Sequence, residues 1–142
     1  MFSPTKNYIK YINPIKGYGV FAGINYNKGD VVDYCFFIEI SRHIDVNLEH
    51  TTYGSHLNPD KDILLLNNGS LFNHSDNNNI YNTISEKYPP DRITVFVAKK
   101  NIKKDEELTS FYGENFFKDR KLSKISEKKC SGGFCSTLIS YK

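Results

Sequence analysis

The sequence predicts a mostly-β fold with short helical additions. Two runs, 18–24 and 31–40, are rich in β-branched and aromatic residues, which suit a pleated, half-buried surface. Turn chemistry recurs at close intervals, in Asn27-Lys28-Gly29-Asp30, Asn67-Asn68-Gly69 and Ser75-Asp76-Asn77-Asn78-Asn79. A helical pattern is suggested mainly past residue 115.

Taken in order, 18–24 and 31–40 read as a β-hairpin or two neighbouring strands, with Gly29 in the turn free to take positive φ. The stretch 41–62 is polar and reads as irregular, with one short helix at most. Asn67-Asn68-Gly69 and Ser75–Asn79 are loops by composition, and they bracket the pair Asn73-His74. Pro89-Pro90 ends a segment. A second strand pair is expected at 93–98 and 107–111, joined through Lys103-Lys104-Asp105-Glu106. From 115 onward, alternating charges with Leu122 and Ile125 suggest one short helix, followed by a Gly-Gly turn at 132 and 133. There is no internal repeat and no long linker.

The 142 residues amount to one domain, long enough to build a core without metal or disulfide help. Apolar residues are only 39%, but ten Phe and ten Tyr supply large buried area per residue. The net charge of +3 permits an acidic partner without arguing for one. With 16 Lys against 3 Arg, beside 15 Asn and 14 Ile, the bias reflects an AT-rich genome. Phosphate recognition would favour Arg, so no direct sequence-specific nucleic-acid binding is expected. No apolar run approaches the ~20 residues of a membrane span, and the segment from Met1 to Lys6 has no apolar signal core. The expectation is a soluble intracellular protein with no membrane partner. Nuclear entry is left open, because the Lys run is too sparse for a nuclear signal. Three cysteines do not make a disulfide framework, and Cys35 reads as a small packed hydrophobe.

Three short segments carry chemistry only in combination. In Gly17-Tyr18-Gly19 the glycines let backbone approach a ligand, although alone they would read as a tight turn. Neither G-x-G-x-x-G nor a P-loop is present. Phe72-Asn73-His74-Ser75 offers a histidine, but no second ligand stands at zinc spacing and no G-x-S-x-G elbow supports a hydrolase. In Glu107-Leu108-Thr109-Ser110-Phe111-Tyr112-Gly113, Tyr112 follows a strand, where packing is the ordinary role of a tyrosine. Cys130 and Cys135 cannot close a tetrahedral zinc site by themselves. The run from Lys118 to Lys129 carries a net charge of +4 and reads first as a solvated face.

In this order and spacing, Lys16-Gly-Tyr-Gly-Val-Phe-Ala, Lys28-Gly-Asp-Val-Val, Leu71-Phe-Asn-His-Ser and Asp105-Glu-Glu-Leu-Thr-Ser-Phe-Tyr-Gly resemble the SET-domain protein-lysine methyltransferases. The likeness runs from Lys16 to Phe117 and is greatest to the compact stand-alone SET proteins of large DNA viruses. It divides the chain into an N-terminal segment, 1–15, a SET domain, 16–117, and a basic tail, 118–142. It implies several small β-sheets around a knot-like crossing, a topology that general rules would not propose.

The resemblance also implies roles. Gly17, Tyr18 and Gly19 would lie along the methionine part of S-adenosylmethionine. Asn73 would bind that cofactor through its side chain, and His74 through its backbone at the adenine. Phe117, with Phe116 as its rival, would pack near the adenine. Tyr112 would stand at the point of methyl transfer, and Phe37, Tyr53, Tyr81 and Phe111 would line the lysine channel. The substrate would be a lysine ε-amine of a protein, a histone tail foremost.

Asp76 and Lys128 occupy places where zinc-binding relatives have cysteine, so no metal is expected. Pairing into a homodimer is one way for such a chain to complete its channel. Ser110 stands where many relatives carry Phe or Tyr, and Cys35 lies near another aromatic position. Two other functions compete: a catalytically weak SET-fold module that binds S-adenosylmethionine or a lysine-bearing peptide, and an unrelated β-rich structural protein.

Overall fold

A computed structural model of the chain describes residues 6–41, 52–54, 58–84, 92–119, 129–130 and 133–134. Its strands are β1 (Tyr8–Asn13), β2 (Gly17–Phe21), β3 (Val31–Ser41), β4 (Thr52–Gly54), β5 (Lys61–Leu65), β6 (Asn73–His74), β7 (Ile80–Ile84), β8 (Ile93–Ala98), β9 (Glu107–Ser110), β10 (Lys129–Cys130) and β11 (Gly133–Phe134). A 3-10 turn covers Asn67–Leu71, and a single helical turn, α1, covers Phe116–Asp119. The mostly-β expectation holds. The strands form a four-stranded sheet in the order β1-β2-β9-β6 and a five-stranded sheet in the order β4-β5-β3-β8-β7, with β10 and β11 paired separately.

The expected local pairings are replaced by long-range ones. β2 and β3 are not a hairpin, and neither are β8 and β9, because each pair is divided between the two sheets. The two connections instead run antiparallel to each other and are hydrogen-bonded throughout. β3 pairs with β8; Gly29 N donates to Ala98 O and Ala98 N to Asp30 O, both at 2.9 Å. Tyr26 and Ile102 then exchange two 2.9 Å bonds, Ala22 N donates to Glu106 O, and β2 pairs with β9. One bent ribbon therefore continues from one sheet into the other.

The composition of β8 explains why it cannot sit in a simple hairpin. All six of its residues are buried. Phe96 and Ala98 belong to the main core, whereas Ile93, Val95 and Val97 form a second cluster with Tyr34 on the opposite face. A strand that is apolar on both faces needs neighbours on both edges and cover on both sides, and β3 and β7 supply the edges.

β4 and β5 occupy part of the stretch read as irregular, and β7 was not foreseen. β4 is set by its pairing with β5, with Thr52 buried although polar. α1 begins where the late helix was expected. The main core contains Val20, Ala22, Cys35, Phe72, Ile80, Phe96, Ile102 and Leu108, all at 1% exposure or less. Phe72 and Phe96 rings lie 4.6 Å apart and join the 3-10 turn to β8.

Candidate active site

Phe72, fully buried, anchors the segment that follows it. Asn73 and His74 then run parallel to β9, opposite Thr109 and Ser110. Ser75 N continues this pairing by donating to Ser110 O at 3.0 Å. Asn79 closes the loop from the far side. It is 3% exposed, its Nδ2 donates to Glu107 O at 2.8 Å, and its Oδ1 accepts from Thr109 N at 2.8 Å. The asparagine-rich segment, polar by composition, is thus ordered by matching backbone donors and acceptors one for one.

Beyond β9 the chain reaches Phe111, Tyr112 and Gly113, whose φ of 95° requires glycine-like freedom. That turn lets α1 fold back, so that Phe116 and Phe117, both 7% exposed, cover Tyr112. Ring centroids are 4.6 Å apart for Tyr112–Phe116 and 6.4 Å for the stacked pair Tyr112–Phe117. The Tyr112 hydroxyl donates to Phe72 O at 2.6 Å, and Tyr112 N donates to His74 Nδ1 at 3.2 Å. The His74 ring is thereby tied to the Tyr112 backbone. With Nδ1 accepting, the neutral imidazole carries its proton on Nε2, which lies 3.3 Å from Asp76 Oδ1. The ring packs among Phe111, Tyr112 and Phe117 at 5.4, 5.3 and 4.9 Å.

On the other side of Asn73 lies the Gly-x-Gly strand. Gly17 has a φ of 67°, while Gly19 is needed for space: a Cβ there would stand 2.9 Å from Asn73 Nδ2 and 3.0 Å from Glu107 Oε1. Asn73 Nδ2 donates to Glu107 Oε1 at 2.8 Å and to Tyr18 O at 3.2 Å. Glu107 Oε2 pairs with Lys16 Nζ at 3.1 Å, both side chains being about one-fifth exposed. The Tyr18 ring is exposed and stands edge-on to Tyr11 at 5.4 Å. Glu107 and Lys16 were not singled out from the sequence as site residues. Their signal was present, since Lys16 directly precedes the first of the three segments and Glu107 opens the third.

Tyr18, Gly19, Asn73, His74, Tyr112 and Phe117 therefore adjoin one another, with Gly17 joined to them through the chain. The four residues expected in the channel do not stay together. Tyr81 and Phe111 share an open cavity of about 430 Å³ with Asp76 and Ser110. Ser110 is 4% exposed and its Oγ has no hydrogen-bond partner among the described residues. Phe37 lies in the main core, 6% exposed. Tyr53 is paired with Ile63 in β4, and its side chain lies outside the described residues. Among the described residues no group of three or more His, Cys, Asp or Glu could hold a metal ion. The side chain of Cys130 and the whole of Cys135 fall outside them. No helix of the described residues is long and apolar enough to cross a membrane.

A Gly-x-Gly strand, an Asn-His strand and a tyrosine held on the carbonyl before that pair stand in sequence within one matched stretch of the chain. Residues 17–113 match the SET-domain family model, and the chain belongs to that family. A search of curated proteins returned no match. Among solved structures, a Plasmodium falciparum candidate histone methyltransferase is 30% identical with a TM-score of 0.64, over 79% of this chain and 96% of that one. The Chaetomium thermophilum Polycomb Repressive Complex 2, in complex with trimethylated and methionine-substituted histone H3, is 26% identical with a TM-score of 0.57. That match covers 70% of this chain but 13% of the other. The same complex in an autoinhibited conformation bound to S-adenosylmethionine, at 22% identity and a TM-score of 0.64 over 82% of this chain and 16% of that one, shows the shared fold.

Proposed function

We propose that this chain is a protein-lysine N-methyltransferase that moves a methyl group from S-adenosylmethionine to a lysine ε-amine, with a histone as substrate. The observation that carries the reading is the Tyr112 hydroxyl on the carbonyl of Phe72, one residue before Asn73. It puts a phenol oxygen and a backbone oxygen side by side, one residue from the asparagine that contacts the Gly-x-Gly strand. Kinship with a candidate histone methyltransferase over 96% of that chain supports the reaction class, and the histone H3 bound by the fungal complex supports the substrate class.

The residues fit the methyl donor. Both donors of the Asn73 amide are spent on Glu107 and Tyr18, so Oδ1 is left as an acceptor suited to the α-ammonium of a methionine moiety. When bound, that donor supplies a methyl group made electrophilic by its positive sulfur. The chain's own part is to present a neutral amine in line with it. A free lysine has a pKa of ~10.4 and must lose its proton. The buried rings of Phe116 and Phe117 around Tyr112 make the surroundings of its hydroxyl apolar, which disfavours the charged form of an amine held there by desolvation.

Because the Tyr112 hydrogen is committed to Phe72 O, the phenol oxygen can meet an amine only as an acceptor, which would aim the amine's own lone pair. The two oxygens can also accept weak C–H···O contacts from a polarised methyl. His74 is not placed as a base, since its Nδ1 is occupied by Tyr112 N. Asp76 and Lys99 both line the cavity shared by Tyr81 and Phe111. Transfer of label from S-adenosylmethionine to core histones, together with a rise in melting temperature on adding S-adenosylhomocysteine, tests the proposal. A thermal shift without transfer to any histone would leave a binding module; no shift would remove the cofactor.

A further inference from the structure

Lys16, Glu107 and Asn73 form a chain of fixed polarity. Lys16 Nζ can only donate, and it occupies Glu107 Oε2 at 3.1 Å. Glu107 can only accept, and its Oε1 takes one Asn73 N–H at 2.8 Å. The second N–H goes to Tyr18 O, again acceptor-only, at 3.2 Å. An asparagine amide is nearly symmetrical in shape, so its orientation is decided by what surrounds it. Here two acceptors decide it, and the oxygen is turned away from both.

Gly19 belongs to the same device. Its absent Cβ would press on Asn73 Nδ2 and Glu107 Oε1, so the second glycine of Gly-x-Gly clears room for this hydrogen bond. Resting on the reading of this cleft as a methyl-donor site, we propose that Glu107 is a positioning residue. It locks the Asn73 amide so that the site selects a ligand carrying a cationic amine, the acceptor-only carboxylate setting the polarity and Lys16 occupying its other oxygen.

The test compares S-adenosylhomocysteine with its desamino analogue, which keeps the thioether and carboxylate and lacks the α-amine. Calorimetry on the full chain gives both dissociation constants. The unsubstituted protein is expected to prefer the amine-bearing ligand by about tenfold or more. Glu107→Gln keeps the shape and removes the fixed polarity: with its amide oxygen on Lys16 it turns an NH2 toward Asn73 while Tyr18 O still calls for the Asn73 NH2, so the amide loses its single orientation. The preference should then fall to within about threefold, the desamino analogue binding as before. Lys16→Met, which leaves the carboxylate facing Asn73, should retain the preference. Equal weakening of both ligands by Glu107→Gln would make Glu107 a merely structural residue and overturn the inference. If the unsubstituted protein binds both compounds equally, the methyl-donor reading survives and the lock is overturned. If it binds neither, the methyl-donor reading fails and the lock falls with it.

Discussion

Tyr112 holds the carbonyl of Phe72 through a 2.6 Å hydrogen bond from its phenol. Phe72 is itself immobilised by full burial and by contact with Phe96. The phenol oxygen is thus referenced to the core rather than to the surface loop that follows it. Such referencing is how a fold holds a reacting group to the tolerance that in-line transfer needs, since a 1 Å misplacement can cost roughly a hundredfold in rate.

Removing that oxygen should separate chemistry from binding. Tyr112→Phe keeps the ring packing on Phe116 and Phe117 and loses the bond to Phe72 O, a stability cost of about 1 kcal/mol. The expected result is a fall in methyl transfer of about a hundredfold or more, with the S-adenosylhomocysteine dissociation constant changed by less than about threefold. Labelled transfer and calorimetry on the same preparation read both. Normal turnover in the variant would remove Tyr112 from the reaction.

Asn73→Ala should behave in the opposite way. It strands the partly buried Glu107 Oε1 and the exposed Tyr18 O, and deletes the acceptor Oδ1. Losing a hydrogen bond to a charged ligand costs about 1.5–3 kcal/mol, so cofactor affinity should fall by about tenfold to a hundredfold. The maximal rate at saturating cofactor should change far less. A fall in maximal rate with unchanged affinity would contradict the assignment.

The strands were legible where their own residues demanded burial and illegible where partners did. β2, β3, β8 and β9 announce themselves through runs such as Val31–Ile40 and Ile93–Ala98. Their pairing does not, because turn residues such as Asn27-Lys28-Gly29-Asp30 speak only for local reversal. The Tyr26–Ile102 bridge and the Tyr8 hydroxyl on Asp105, a contact 97 residues apart in sequence, belong to the assembled ribbon alone. β7 is hidden behind an asparagine-rich start, and β4 behind a polar stretch. The site follows the same logic. Asn73 and Tyr112 stand out through family resemblance, whereas the Lys16–Glu107 pair arises only when β2 lies beside β9.

Alkaline pH should destabilise the protein through two buried groups. Burial, reinforced by the Asp33 carboxylate, pushes the Cys35 thiol well above its ordinary value of 9.0. Tyr26 is raised above 10.0 by burial first and by Asp33 and Asp30 next. Both are neutral when protonated, so above those ordinary values the unfolded chain releases protons that the folded chain retains. Stability is therefore full below pH 9 and falls as pH rises from there. Melting temperature measured from pH 7 to 11 should decline beyond about pH 9. Cys35→Ala should delay the onset toward the tyrosine range. Alkylation mapped by mass spectrometry should find Cys35 protected in the native state at pH 8 and reactive in denaturant.

The two glycines of Gly17-Tyr18-Gly19 should fail differently when replaced by alanine. At Gly17 a Cβ meets nothing within 4 Å, but a φ of 67° strains any L-residue, at a cost of roughly 1–2 kcal/mol. Gly17→Ala should therefore appear mainly as a melting temperature lower by about 3–6 °C. At Gly19 the backbone is unstrained and the cost is contact. Ile12 Cδ1, 2.7 Å from the new Cβ, is the end of a flexible side chain and can move. Asn73 Nδ2 and Glu107 Oε1, at 2.9 and 3.0 Å, can move only by parting from each other. Gly19→Ala should then weaken S-adenosylhomocysteine by about tenfold while shifting the melting temperature less than Gly17→Ala does. Calorimetry beside thermal melts of the two variants reads this crossing of effects, and equal behaviour of the pair would mean that Gly19 is present for the backbone and not for the Asn73–Glu107 bond.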